Sequence, residues 1–139
     1  MTIYLLDTNA LIALLHPERR LRVLPRLLAQ PPGAAVTSAI VAQELYFGAA
    51  KSARPEENRR GFDRLFTDLV PLGFERGDAE AAGEVRARLR AQAMPIGPYD
   101  VLIAGQALAR GLTLVTGNTR EFARVDGLSV ANWLDEGSP

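Results

Sequence analysis

Three acids of this chain stand in apolar surroundings. Asp7 ends the run Ile3-Tyr4-Leu5-Leu6, Glu44 interrupts the apolar stripe of a helical segment, and Asp100 opens a segment that is otherwise almost entirely apolar. Burying a carboxylate without a partner is costly, and carboxylates brought together repel one another. A cation placed between them relieves both penalties. All-oxygen carboxylate sites suit the hard cations Mg²⁺ and Mn²⁺. Ions of that kind clamp a phosphodiester, activate a water as nucleophile and stabilise a leaving oxygen.

Each acid also has a plainer explanation when taken alone. Asp7 precedes a helical segment and is suited to cap it, as is Asn9, which could instead orient the Asp7 carboxylate. With Ile40 at zero and about 100° per residue, Glu44 falls about 40° round a helix, near Val41 and Gly48, with Phe47 on the other side of Ile40. It therefore points into the apolar stripe, while Gln43 and Tyr46 lie on the wetter side; the alternative is a glutamate at the stripe's edge that reaches water. Asp100 follows Pro98 and shares a face with Ile103, Ala104 and Ala107, and an acid at a helix start is a good dipole partner. Only the joint placement of the three favours a site.

The elements that must position these acids alternate in type. Residues 2–6 read as a buried strand without polar alternation. Helical segments follow over Thr8 to Leu15 and Glu18 to Leu28, the second rich in arginine and stopped by Gln30-Pro31-Pro32-Gly33. A short strand at Ala35 to Thr37 leads through Ser38, a good N-cap, into a helix reaching Ala50. A polar helix from Pro55 to about Leu69, a brief strand at Val70 to Phe74 and a helix from Asp78 to Ala93 come next. Met94-Pro95-Ile96-Gly97-Pro98 is a stiff linker. Tyr99 to Arg110 is helical with Gly111 just past its end, then come a strand at Leu112 to Thr116, a turn at Thr119 to Arg124 and a last strand at Leu128 to Trp133. This order predicts a parallel sheet covered by helices on both faces. Functional groups of such sheets gather beyond the carboxyl ends of the strands. Asp7 directly follows the first strand, and Asn118 lies two residues past Thr116, so both belong on one edge.

Bulk properties restrict the remaining choices. At 139 residues the chain is long enough for one self-sufficient core, and its 16 basic and 16 acidic residues balance. No overall field therefore draws it to nucleic acid or membrane. Charge is nonetheless uneven, with Arg19, Arg20, Arg22 and Arg26 in one basic cluster and Arg86, Arg88 and Arg90 in another. There are no cysteines, which excludes disulfides and thiolate metal sites. No basic leader is visible and no apolar run approaches ~18 residues, so a cytoplasmic location without membrane contact is expected.

Asp7-Thr8-Asn9, Glu44-Leu45 with Gly48, Pro98-Tyr99-Asp100 ahead of Ile103-Ala104, and Thr116-Gly117-Asn118 followed by Phe122 resemble the PIN-domain ribonucleases, and more closely the VapC toxins of type II toxin–antitoxin pairs. The likeness runs from Thr2 to Trp133 with the motifs in family order. It implies a single PIN domain over residues 1–139, built as a three-layer α/β/α sandwich with a central parallel sheet. It also implies a Mg²⁺- or Mn²⁺-dependent endoribonuclease toxin that cuts RNA, tRNA being one candidate. The partners implied are a cognate VapB-type antitoxin whose C-terminal segment lies across the site, and a second copy in a homodimer that enters a larger toxin–antitoxin complex.

Carried over by position, Asp7, Glu44 and Asp100 are the metal-site acids, and Asn118 occupies the place where many PIN domains carry a fourth acid. An asparagine contributes an oxygen but no charge. One firmly held ion, chiefly on Asp7 and Asp100, is therefore expected, with a second recruited by substrate phosphate. Glu44 would orient or deprotonate the attacking water, and Thr116 either lends its hydroxyl to the site or satisfies nearby backbone. The four clustered arginines from Arg19 to Arg26 are candidates for gripping phosphates, or a solvated helix face. Tyr99 is placed to stack on a base or to pack, and His16 reads as a surface residue at a helix end.

Other classes fit less well. A phosphorelay receiver needs a lysine after a late strand, whereas Lys51 follows a helix. A haloacid-dehalogenase phosphatase needs a second aspartate where Asn9 stands. The alternative that keeps the fold is a PIN nuclease or RNA-binding module outside any toxin–antitoxin pair.

Overall fold

The computed structural model of the chain describes residues 1–135; the expected domain of residues 1–139 runs past them, and residues 136–139 lie outside the described set. Among the described residues five parallel strands form one sheet: β1 (Tyr4–Leu6), β2 (Ala35–Ser38), β3 (Pro71–Leu72), β4 (Thr113–Val115) and β5 (Val130–Ala131), in the order β3-β2-β1-β4-β5. Tyr4, Leu5 and Leu6 of the central strand face Thr113, Leu114 and Val115 of β4. The chain steps outward from β1 to β3, returns across the sheet to β4 and steps outward again. With right-handed crossovers, that reversal puts helices on both faces and produces the expected α/β/α sandwich.

Among the described residues seven helices connect the strands: α1 (Thr8–Leu14), α2 (Arg20–Leu28), α3 (Ala39–Ala50), α4 (Pro55–Asp68), α5 (Arg76–Ala91), α6 (Pro98–Arg110) and α7 (Thr119–Phe122). Their limits follow local chemistry. Ser38 caps α3, its hydroxyl accepting from the Ile40 N–H at 3.0 Å. α5 begins at Arg76 rather than at Asp78, because Glu75 is the N-cap and Asp78 is the third residue of a reciprocal capping box. Gly111 ends α6 with φ of 65°, a left-handed cap that glycine adopts without strain. The strands are shorter than the apolar runs predict, since ladder pairing ends where a neighbour ends.

The core lies between sheet and helices, with Leu5, Leu6, Leu11, Ile103, Leu114, Val115 and Phe122 fully buried. α5 and α6 pack so closely that a Cβ on Gly105 would lie 2.5 Å from the Ala82 backbone. Below this contact, Arg110 holds Asp78 through Nε at 3.1 Å and Nη2 at 2.9 Å and donates to the Gly73 carbonyl at 2.8 Å. Gln106, fully buried, donates to the same carbonyl at 3.2 Å, while its Oε1 is buried without a partner.

Two sequence expectations are corrected here. On α3 the buried side is Val41, Ala42, Leu45 and Ala49, whereas Phe47 is 63% exposed. Helical periodicity reports an apolar face, and here that face is wider than the sheet can cover. The clustered arginines Arg19, Arg20, Arg22 and Arg26 are also not all free to grip phosphate. Arg22 donates to the Leu134 carbonyl, and Arg26 to those of Asn132 and Asp135, so two of the four fasten the chain beyond β5. Among the described residues, no helix is long and apolar enough to cross a membrane.

Candidate functional site

The sheet order reverses between β1 and β4, and ligand sites in open α/β sheets form at such switch points. Asp7 occupies this one. Its backbone N–H donates to the Val115 carbonyl at 2.9 Å, continuing the β1–β4 ladder by one step before the chain turns into α1. The side chain is 5% exposed. Oδ1 accepts from the Thr8 N–H at 2.7 Å and Oδ2 from the Thr116 hydroxyl at 2.9 Å. Asp7 thus caps its helix and lines the site at once. Burial pushes its carboxyl above the ordinary range, the hydrogen bonds from Thr8 and Thr116 pull the other way, and the charge of Glu121 adds to the upward push.

The other acids reach Asp7 through two threonines and α7. Glu44, half-buried on α3, accepts the Thr8 hydroxyl on Oε2 at 3.1 Å. Its carboxyl is raised by burial, lowered by that hydrogen bond and raised again by Asp7. The Thr116 hydroxyl donates to Asp7 at 2.9 Å and accepts the Asn118 N–H at 3.0 Å. Asp100, the third residue of α6, is pushed up to about 7, first by burial and then by the charges of Glu121, Asp7 and Glu44. That interaction set places four carboxylates in one another's field. Among the described residues none of the four forms an ion pair with lysine or arginine.

The fourth acid is Glu121, which sequence reasoning missed. It stands in the single turn of α7 after β4. Its Oε1 accepts the Gly97 N–H at 2.8 Å, and its Oε2 accepts from the Asn118 side-chain amide. Asn118 therefore holds an acid through its side-chain amide. The available signal was the Asn-x-x-Glu spacing directly after a strand, which puts the acid on the first turn facing back to the cap. Asn9 is not brought in: it is exposed and makes no side-chain hydrogen bond among the described residues. His16 accepts the Glu18 and Arg19 N–H groups on Nδ1 at 3.2 Å, a local turn role.

The donor set fits a hard divalent cation by charge and ligand type, since every contributing group is an oxygen and the acids lack a cationic partner among the described residues. Among the described residues, no three acids or histidines converge into a preformed cage. Beside Glu44 and Thr8 runs a groove of about 740 Å³, walled by Ile12, Leu15, Phe47 and Phe62 with Arg19 and Lys51 at its rim.

Comparison with known proteins agrees with this geometry. The model of the PIN domain family matches residues 4–128. The chain belongs to the PIN-domain family. Within that family the likeness is to VapC toxins. The tRNA(fMet)-specific endonuclease VapC of Shigella flexneri is 42% identical over 96 residues, covering 69% of this chain and 73% of that protein. Ribonuclease VapC2 of Haemophilus influenzae is 38% identical over 131 residues, covering 94% and 98%. A solved structure of VapBC2 from Rickettsia felis, bound to a DNA fragment from its promoter, contains a chain that superposes with a TM-score of 0.84. It is 34% identical and covers 95% of this chain and 99% of that one. This PIN domain is therefore of the VapC type.

Proposed function

We propose that this PIN domain, taken over residues 1–139, is a Mg²⁺- or Mn²⁺-dependent endoribonuclease and the toxin of a VapBC pair. One observation carries the reading: four carboxylates share a field at the switch point of a PIN-type sheet, with no ion pair among the described residues to neutralise any of them. Asp7 and Asp100 would hold the ion, with Glu44 and Glu121 beside them. Bound there, a divalent cation supplies charge neutralisation and a more acidic water. The chain's own part is orientation and proton handling. Thr8 and Thr116 fix Asp7, and Thr8 also aims Glu44, whose raised affinity for a proton suits it to accept one from the attacking water. Asn118 and Gly97 hold Glu121.

The groove beside Glu44 supports an antitoxin segment as a second occupant of this edge. Exposed Ile12, Leu15 and Phe47 suit apolar side chains of a peptide better than a phosphate backbone. The occurrence of similar chains in VapBC complexes supports a VapB-type partner, a homodimer and a larger assembly. The relative from Shigella flexneri makes initiator tRNA the first substrate to try.

The test is cleavage of total RNA and of purified tRNA(fMet), with cut sites mapped, in Mg²⁺, Mn²⁺ or chelator. Cutting that requires the metal and disappears in Asp100→Ala is the expected result. RNA bound but never cut under any metal condition would make the chain a binding module. Cleavage by Asp100→Ala at the wild-type rate would remove the carboxylate site from the reaction.

A further inference from the structure

Gly97 is the N-cap of α6, and its conformation does not explain why it is glycine. Its φ of −57° and ψ of 149° are open to any residue, and the following Pro98 favours that same region. Its surroundings do explain it. A Cβ at position 97 would lie 2.9 Å from Asp100 Oδ2, 3.5 Å from Asp100 Cγ and 3.8 Å from Glu121 Oε1. At Gly48, Gly77 and Gly83 a Cβ would meet nothing within 4 Å, and at Gly105 it would strike the backbone of α5. Among the described glycines, only at Gly97 are the obstructed atoms the carboxylates of the site.

The N–H of Gly97 adds a second function. In a capping box the acid at the third helical position takes the N-cap N–H, as Asp78 does for Glu75 at 2.8 Å. Asp100 holds the equivalent position in α6, yet the Gly97 N–H goes to Glu121 from α7. Asp100 is thereby released from capping its own helix. It is free to face the other acids.

We propose that Gly97 is a positioning residue for the carboxylate site: its missing side chain admits the Asp100 carboxylate, and its N–H anchors Glu121 in the place a capping aspartate would take. The inference rests on the metal-dependent reading above. The obstruction is only the end of a rotatable side chain, so a methyl group at position 97 turns Asp100 aside without opening the core. The modest loss of an alanine N-cap is offset by the reduced freedom of the unfolded chain.

The test is Gly97→Ala in the full chain, with Gly83→Ala as control, read by thermal melting, by calorimetric titration with Mn²⁺ alone, and by steady-state RNA cleavage. Gly97→Ala is expected to melt within about 3 °C of wild type. It should bind Mn²⁺ about 10- to 100-fold more weakly and lose kcat by a similar factor with KM little changed, while Gly83→Ala matches wild type throughout. Wild-type Mn²⁺ affinity and kcat in Gly97→Ala would overturn the proposal. So would a melting temperature that falls together with activity, since the glycine would then serve the fold. Because Mn²⁺ binding is measured without RNA, a wild-type chain that binds the ion but cuts no RNA removes only the ribonuclease reading. A wild-type chain that binds no Mn²⁺ removes both.

Discussion

Asp78 and Asp100 occupy the same position in two adjacent helices, each the third residue of its first turn. Asp78 takes the N–H of its N-cap and receives two hydrogen bonds from Arg110. Burial alone would raise its carboxyl, but Arg110 and the Glu75 N–H outweigh that and hold it below the ordinary range. Among the described residues Asp100 caps nothing and has no cationic partner; burial first, and then the charges of three other acids, push its carboxyl up to about 7. Equivalent local positions thus have opposite electrostatics. The difference is one of partners supplied by other elements: α6 brings an arginine to Asp78, whereas α7 brings a glutamate to Asp100. A compensated acid holds a fold together, and an uncompensated one waits for a ligand.

The largest expected effect would break the comparison at its functional end. Asp100→Asn should lower RNA cleavage by about 10³-fold, equivalent to about 4 kcal/mol of transition-state stabilisation, yet leave the metal-free chain as stable as wild type or more so. Asp78→Asn should do the reverse. It leaves Arg110 without its anionic partner and is expected to lower unfolding stability in urea by about 2–3 kcal/mol, with kcat close to wild type. A variant pair in which both aspartates affected cleavage and stability alike would erase the distinction.

pH sharpens the contrast further. Between about pH 4 and 7 the folded metal-free chain keeps a proton on Asp100 that the unfolded chain, with its ordinary value of 3.8, has released. The folded state then binds more protons, so stability should fall as pH rises through this window. The full shift corresponds to about 4 kcal/mol; screening at a half-exposed group reduces this to about 1–2 kcal/mol. Asp78 has the opposite sign, its contribution being present above 3.8 and lost as pH falls below that value. Denaturation in urea from pH 3 to 8 checks both. Asp100→Asn should make the fall between 4 and 7 shallower, with the remainder coming from the raised Asp7 and Glu44, while keeping the acid-side loss, and saturating Mg²⁺ should flatten the same window in wild type.

The smallest effect concerns the structural end. Gln106→Leu removes the bond to the Gly73 carbonyl and also the unpartnered Oε1. The two changes oppose each other, and Arg110 still serves that carbonyl, so stability should shift by less than about 1 kcal/mol. A loss well beyond that would mean Gln106 belongs to the Asp78–Arg110 clamp as a full member.

Asp7, Glu44 and Asp100 were legible because each breaks an apolar pattern, and a carboxylate in such a place carries its own energetic contrast. Glu121 was not, because it sits in the polar run Asn118-Thr119-Arg120, where one more charge creates no contrast. Phe47 misled for a related reason. An apolar side chain on a helix marks a face to be covered without saying whether the sheet or an outside partner covers it, and here it borders the groove beside Glu44.

By itself the order of apolar runs, caps and breakers determined that strands and helices alternate, that the sheet is parallel, and that three acids interrupt or border apolar runs. Those are properties of neighbours along the chain. Which acid receives an arginine, which receives another acid, and whether the Gly97 N–H goes to Asp100 or to Glu121 depend on α5, α6 and α7 meeting across residues far apart in sequence. Charge interactions fall off with distance in space, so only the folded arrangement decided that Asp78 would be neutralised and Asp100 left without a counter-charge.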